Sequence, residues 1–290
     1  MSALLIILSG FTGLSEGVLV KRYNEKHGKG GFIFTAFISL FSMLFFLFKD
    51  IITDKSGFTI DAGIIPYGII SGILYCAASF LTYIALGCGP FAISMLILSY
   101  AGVFSIIYGL VFLGEPASVF TYIGLALIMI SLYLTRSESK KDGEEKKISL
   151  KWIICIAISV FGSGMFSVIM RMQQIKFNYA YDNEFMVLSL GISAISLFII
   201  GLIKNGRELG YTMRHGLIYG VGAGASNGAT NTISLILNTM MAISISSPIR
   251  TAVRIILSFV CSIFIFKEKF LKRQLIGVVL GGIALIFLNF

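Results

Sequence analysis

Long apolar stretches, separated by short polar connections, follow one another along the whole chain. A helix that crosses a membrane needs about 20 mostly apolar residues, and ten stretches reach roughly that length: 2–20, 32–49, 62–86, 90–113, 118–135, 150–170, 184–203, 215–237, 241–266 and 273–289. Strands of a membrane barrel would alternate apolar and polar residues, whereas Phe41 to Phe48 is almost continuously apolar. The pattern predicts an all-α integral membrane protein with ten transmembrane helices.

Composition supports this interpretation, because a chain of 290 residues that is 57% hydrophobic and 13% charged is too apolar for a soluble domain. The first stretch has no basic segment before it and is followed by Lys21-Arg22, not by a small-residue cleavage site. We therefore expect it to remain as the first span. The four cysteines show no metal-ligand spacing and are interpreted as packing residues, so no metal and no cofactor is predicted.

The net charge of +9 is distributed unevenly between the connections. Those after the odd-numbered stretches hold 17 of the 23 Lys and Arg residues, and the termini and other connections hold four. Because cytoplasmic loops are enriched in Lys and Arg, the basic connections should face the cytoplasm and both termini the outside. The charge is thus explained by a multi-pass protein of the plasma membrane, with no nucleic-acid partner.

A polar run divides the ten stretches into five and five, with a first unit at 1–135, a solvated linker at 136–149 and a second unit at 150–290. The units resemble each other at an offset of about 150 residues. Ser94 and Ser105 match Ser247 and Ser258, and Lys21 matches Arg171. Since each unit has an odd number of spans, the second must enter the membrane from the opposite side. This predicts two inverted five-helix repeats, with a substrate site between them.

The fourth and ninth stretches each end at a glutamate, in Gly114-Glu115 and Lys267-Glu268, and a glycine-containing apolar stretch follows both. With the five-plus-five arrangement, this pattern resembles the EamA-like members of the drug/metabolite transporter superfamily along essentially the whole chain. The resemblance implies a secondary transporter without ATPase machinery and leaves the substrate open.

Two arginines lie one turn apart in the ninth stretch, and a charge at that depth costs roughly 2.5–3.5 kcal/mol. They share a helical face with Ser247, whereas the matching face of the fourth stretch has Ile97 and Ala101 in place of Arg250 and Arg254. The repeat therefore does not require arginine here. We interpret Arg250, Arg254 and Ser247 as substrate-binding residues, although Arg250 is close enough to the outer end to reach the interface.

A second polar stripe occupies the eighth stretch, where Asn227, Asn231, Ser234 and Asn238 recur at helical spacing. It could provide hydrogen bonds between helices or line a hydrated cavity; we favour a cavity, because glycines share these turns. The remaining predicted cavity residues come from the first unit: Tyr75, Ser79 and Tyr100, with Tyr83 and Tyr108 as further candidates.

Glu16 is the one acidic residue well inside a predicted span, and its repeat counterpart is Phe166. A carboxylate in a membrane is a candidate proton-coupling group. Its placement resembles that of the first-helix glutamate in small multidrug resistance proteins. The alternative is an interfacial carboxylate paired with Lys21 or Arg22.

Three classes of function were compared. A membrane enzyme is disfavoured because His27 and His215 lie at or beyond helix ends and no nucleophile-base pair is evident, and an assembly subunit would not explain buried arginines. We expect a secondary transporter of a small anionic or zwitterionic metabolite, such as an amino or organic acid, as a monomer or homodimer in the bilayer. The alternative transport function is export of organic cations.

Overall fold

A computed structural model describes residues 2–53, 60–114, 118–135, 139–141, 144–146, 149–241, 243–267 and 272–287. Helices occupy most of every predicted apolar stretch. Their bounds are α1 Ser2–Lys26, α2 Gly31–Thr53, α3 Ile65–Cys88, α4 Phe91–Ser99, α5 Gly102–Phe112, α6 Val119–Thr135, α7 Leu150–Lys176, α8 Asp182–Asn205, α9 Leu209–Met240, α10 Ile243–Phe264 and α11 Lys272–Phe287. Short 3₁₀ turns at Ala62–Ile64 and Gly206–Glu208 precede α3 and α9.

Six of the described apolar segments are long and apolar enough to cross a membrane: Leu4–Lys26, Gly31–Lys49, Ala62–Cys88, Phe91–Phe112, Leu150–Lys176 and Asp182–Lys204. An α-helix satisfies its backbone N–H and C=O groups with its own hydrogen bonds, which the interior of a bilayer requires. The chain is therefore a helical integral membrane protein. Ten spans in two inverted repeats, with the unit boundaries given above, remain a prediction.

Two local features were not anticipated from the sequence. The fourth stretch is two helices, because Tyr100 N–H donates to Ile97 O at 3.0 Å and Ala101 N–H to Leu98 O at 3.1 Å, and these tighter i→i+3 bonds interrupt the α-helix before Gly102. The predicted linker contains a short antiparallel hairpin of strands β1 (Ser139–Lys141) and β2 (Glu144–Lys146).

Helices of the two predicted units pack in reciprocal pairs. The first helix of each unit packs on the third helix of the other, α1 on α9 and α7 on α3, and the second helices, α2 and α8, pack together. In the same way α10 packs on α4 and α5, and α11 packs on α6. This exchange of partners is the arrangement that two related units facing each other would produce, and it supports the repeat.

Connections after odd-numbered stretches meet at one end of the bundle. Gly30 N–H donates to a carboxylate oxygen of Glu208 at 2.5 Å, and His27 Nδ1 lies 3.0 Å from the hydroxyl of Tyr211. The pKa of His27 is lowered by burial and by the nearby His215 and Lys26. This shift favours the neutral form of the ring. Connections after even-numbered stretches meet at the opposite end, where Lys49 Nζ donates to Asn183 Oδ1 at 2.7 Å.

Two aromatic-rich clusters fill the interior towards these two ends. The first is built around Tyr23, Phe34 and Phe91, and the second around Phe46 and Phe185. A cavity lies between the clusters, since its wall includes members of both.

Candidate functional site

The central cavity has a volume of about 240 Å³ and is lined by residues of both predicted units. The first unit contributes α1 to α5 and the second contributes α7, α9 and α10. Eleven serine and threonine side chains reach its wall: Ser9, Thr35, Ser79, Thr82, Ser99, Ser105, Ser163, Ser167, Thr230, Ser234 and Thr251. A wall of this chemistry offers many donors and acceptors to a polar solute.

Charged residues meet at this cavity from two helices. Glu16 comes from α1, and Arg250 and Arg254 come from α10. The arginines are one turn apart on a helix, so both reach the same side of the cavity. Within the described part of the lining, two guanidinium groups therefore face one carboxylate.

Glu16 is held by an amide from α9. Asn227 Nδ2 donates to the two carboxylate oxygens of Glu16 at 3.1 Å and 3.0 Å. The amide oxygen of Asn227 in turn accepts from Ser42 Oγ at 3.0 Å and from Asn231 Nδ2 at 3.0 Å. This chain of hydrogen bonds fixes the side chains and ties α1, α2 and α9 together at the cavity.

The two arginines differ in their hydrogen bonding. Arg250 Nη1 donates to Ser234 Oγ, and Arg250 Nε donates to Ser246 O at 3.3 Å. The buried Nε of Arg254 has no hydrogen-bond partner within the described ranges. The guanidinium of Arg254 lies against Gly13, where an added Cβ would stand 3.0 Å from both Nε and Nη2. Glycine in α1 thus provides the space for this guanidinium.

The structure brings seven of the predicted site residues to one cavity: Glu16, Tyr75, Ser79, Asn227, Asn231, Arg250 and Arg254. Helical spacing explains this for residues on one helix, and packing of α1, α3, α9 and α10 around a common space explains the rest. Ser247 lies in α10, but its side chain falls outside the described residues, as do Glu115 and Glu268.

Tyr100 lies outside the described lining of the cavity. Its hydroxyl lies 2.9 Å from Ser131 Oγ of α6, and its ring packs with residues of α5, α10 and α11, away from the cavity lining. The helix break at Tyr100 turns the side chain towards this neighbouring interface. Tyr83 also belongs to an aromatic cluster, and Tyr108 stacks on Phe112 with ring centroids 5.5 Å apart.

Asn238 does not continue the cavity stripe of α9. Its Nδ2 donates to Gln174 Oε1 at 2.9 Å, and its backbone oxygen accepts from Arg171 Nη1 at 3.0 Å. Lys21, which corresponds to Arg171 in the repeat, donates to Gly89 O at 3.3 Å. Each of these buried cations therefore bonds a carbonyl near the end of the third helix of its own unit.

Sequence reasoning missed the contribution of α7. Ser163 and Ser167 both line the cavity, and Thr251 does so beside the arginines of α10. The four-residue spacing of the two serines was a usable signal, because it puts them on one helical face. Thr251 had no such signal, since its position depends on how α10 is rotated in the bundle.

Comparisons with known proteins place this geometry in context. The family model described as Sugar transport protein matches residues 29–289. A search of curated proteins finds no match. A solved structure titled only as a crystal structure of a protein is similar to this chain with a TM-score of 0.67 and 13% identity, over 97% of this chain and 96% of the other. At that identity the similarity concerns the fold alone.

Proposed function

Because the chain belongs to the Sugar transport protein family, a family of membrane transporters, we propose that it is a secondary active transporter of a small hydroxylated metabolite. The observation that carries this proposal is the central cavity, which both predicted units line and whose wall includes eleven Ser and Thr residues and two Asn residues. Hydroxyl and amide groups recognise a sugar by hydrogen bonding, since each sugar hydroxyl is both donor and acceptor.

Alternating access is the proposed mechanism. A site enclosed between two related helical units can open to either side when one unit rocks against the other. The reciprocal packing of α1 on α9 and of α7 on α3 supports this mechanism, because it gives the two predicted units equivalent contacts with each other. The drug/metabolite transporter resemblance is consistent with the same mechanism and stays a prediction.

Glu16 is the proposed coupling group. It is a carboxylate in the cavity wall, its oxygens accept from Asn227, and Arg254 acts on it electrostatically. Protonation of the carboxylate would change both interactions and would thereby link proton binding to the position of α9. Coupling of transport to protons or another ion follows from this arrangement as a hypothesis.

An amino or organic acid is a second candidate substrate, favoured by the presence of Arg250 and Arg254 beside a single described carboxylate. The same excess of positive charge disfavours export of organic cations. That the family consists of transporters argues against an enzyme. Residence in the plasma membrane, as a monomer or homodimer with a small-molecule substrate, belongs to the same proposal.

Uptake into proteoliposomes tests the proposal. Vesicles containing the purified protein should accumulate or exchange labelled sugars, sugar acids, amino acids or organic acids faster than protein-free vesicles. Exchange should accelerate when unlabelled substrate is present on the other side, which is the behaviour of a carrier. If none of these solutes crosses and organic cations do, the exporter alternative replaces this proposal; if no solute crosses, a transport function is wrong.

Orientation is part of the proposal and has its own test. The uneven distribution of Lys and Arg places the hairpin around Lys141 in the cytoplasm and Phe290 outside. A reporter that is active only in the cytoplasm should therefore give signal when inserted after Lys141 and none when fused after Phe290. Signal from the C-terminal fusion alone would reverse the assignment.

A further inference from the structure

Arg254 has hydrogen-bonding capacity that the described protein leaves unused. Its Nε is buried without a partner within the described chain, and its guanidinium rests against Gly13 at the cavity wall. A buried donor without an acceptor is costly, more so when it is charged. A bound solute that supplies an acceptor would remove this cost.

The other charged groups of the cavity are already engaged. Both oxygens of Glu16 accept from Asn227 Nδ2, and Arg250 donates to Ser234 Oγ and Ser246 O. The described structure therefore leaves a donor of Arg254 open, whereas the described hydrogen bonds of Arg250 use its Nε and Nη1. A planar guanidinium with several donors binds a carboxylate in two-pronged fashion, which makes a carboxylate the best complement.

The charge balance of the cavity indicates how many negative charges the solute carries. With Glu16 ionised, the described lining holds two positive charges and one negative charge. An uncompensated charge inside a membrane protein is unfavourable. A solute with one negative charge neutralises the cavity. A neutral sugar or a zwitterion leaves the cavity with a net positive charge, and a dianion gives it a net negative charge.

The rest of the wall indicates what surrounds that charge. Hydroxyl-bearing side chains line the cavity from α1, α2, α3, α4, α5, α7, α9 and α10. Several of these hydroxyls, among them Ser79, Ser99 and Ser167, donate to a carbonyl of their own helix and keep acceptor capacity, which the hydroxyls of a sugar chain or ring can use and a hydrocarbon acid cannot. We infer that the substrate is an acidic sugar, a uronate or aldonate with one carboxylate, and that Arg254 binds the carboxylate. This inference rests on the proposed sugar-transport function and narrows its substrate class.

Exchange in proteoliposomes with four labelled probes tests the inference: D-glucuronate, D-gluconate, D-glucose and hexanoate. At low concentration the two sugar acids should exchange roughly tenfold or more faster than the other two, because a charge-assisted hydrogen bond and the hydroxyl contacts act together. Arg254→Gln should reduce the ratio of glucuronate to glucose exchange by a similar factor. Arg214→Gln removes an exposed arginine of α9 outside the cavity lining and should leave the ratio unchanged.

The outcomes separate this inference from the proposed function. Glucose exchange without exchange of either sugar acid would overturn the acidic-sugar inference and keep sugar transport. Hexanoate exchanging as fast as gluconate would overturn the sugar part, and an unchanged ratio in Arg254→Gln would overturn the role of Arg254.

A direct binding measurement covers the case in which Arg254→Gln does not fold. Sodium gluconate should raise the melting temperature of the detergent-solubilised wild-type protein more than glucose or an equal concentration of sodium chloride does. An equal effect of gluconate and sodium chloride would contradict the inference without any variant.

Discussion

The helical regions α4–α5 (Phe91–Phe112) and α10 (Ile243–Phe264) pack against each other beside the cavity, correspond to each other in the predicted repeat, and differ in two respects. The first is broken before Gly102 and has Ile97 and Ala101 at the positions of Arg250 and Arg254. The second is continuous and carries both arginines. In the predicted repeat the first unit packs without charge at these positions, which supports the proposal that the arginines serve the solute and not the bundle.

The break in α4–α5 complements the charge in α10. Ala101 and Gly102 line the cavity at the break, and a methyl group and a hydrogen at these positions leave more space than larger side chains would. Interrupted helices at the middle of a membrane protein commonly form substrate sites, because the freed backbone lines a polar cavity. Under the proposed function, the break in the first unit contributes space to the site and α10 of the second unit contributes positive charge.

The largest effect is expected from removing the charge that distinguishes α10. Arg254→Ala should nearly eliminate transport, while Arg254→Lys, which keeps the charge and loses the planar fork, should weaken it roughly tenfold. Uptake by proteoliposomes and size-exclusion profiles of both variants measure activity and folding. If the single variant Arg254→Ala fails to fold and the double variant Arg254→Ala/Glu16→Ala folds well, the two residues are a structural ion pair. The difference between α10 and α4–α5 would then be structural and not functional.

A different loss is expected at Glu16, which faces α10 from α1. Glu16→Gln keeps the size of the side chain and removes the charge, so proton-driven accumulation should disappear while exchange of substrate across the membrane remains partly intact. Accumulation and exchange are measured at several pH values. An unchanged pH dependence of transport in Glu16→Gln would contradict the coupling role.

Displacing Arg254 without removing it should have a smaller effect. Gly13→Ala places a methyl group 3.0 Å from the guanidinium Nε and Nη2, so the guanidinium must shift by a few tenths of an ångström. Transport should fall about threefold to tenfold, because binding a carboxylate depends on alignment. Gly17→Ala is the matched control, since it meets the flexible Met95 side chain and should change transport less than twofold. Equal effects of the two substitutions would show that α1 packing, not Arg254, is responsible.

The smallest effect is expected at Arg250. Its guanidinium already donates to Ser234 and to the backbone of α10, so we assign it mainly to positioning. Arg250→Gln should lower transport only about twofold to threefold and lower the melting temperature of the protein by a few degrees, since it removes ordinary hydrogen bonds. Transport kinetics and thermal unfolding in detergent measure both. A loss of transport as severe as that of Arg254→Ala would show that both arginines, and not Arg254 alone, are essential for substrate binding.

The membrane class and the helix positions were determined by the sequence alone. Length and apolarity of a span are local properties, because each helix satisfies its own backbone hydrogen bonds in a bilayer. Glu16, Asn227, Asn231, Arg250 and Arg254 were identifiable for a related reason. A polar residue inside an apolar stretch is costly wherever it lies, so its presence alone indicates a cavity or a function.

Only the tertiary structure decided which of these residues meet and what each one binds. Asn227 contacts Glu16 across 211 residues of sequence, and Gly13 accommodates Arg254 from another helix. Tyr100 and Asn238 had the right spacing and chemistry, yet they face other interfaces, because rotation of each helix is set by packing against its neighbours. Periodicity assigns residues to a face of a helix; the side chains of adjacent helices determine what that face contacts.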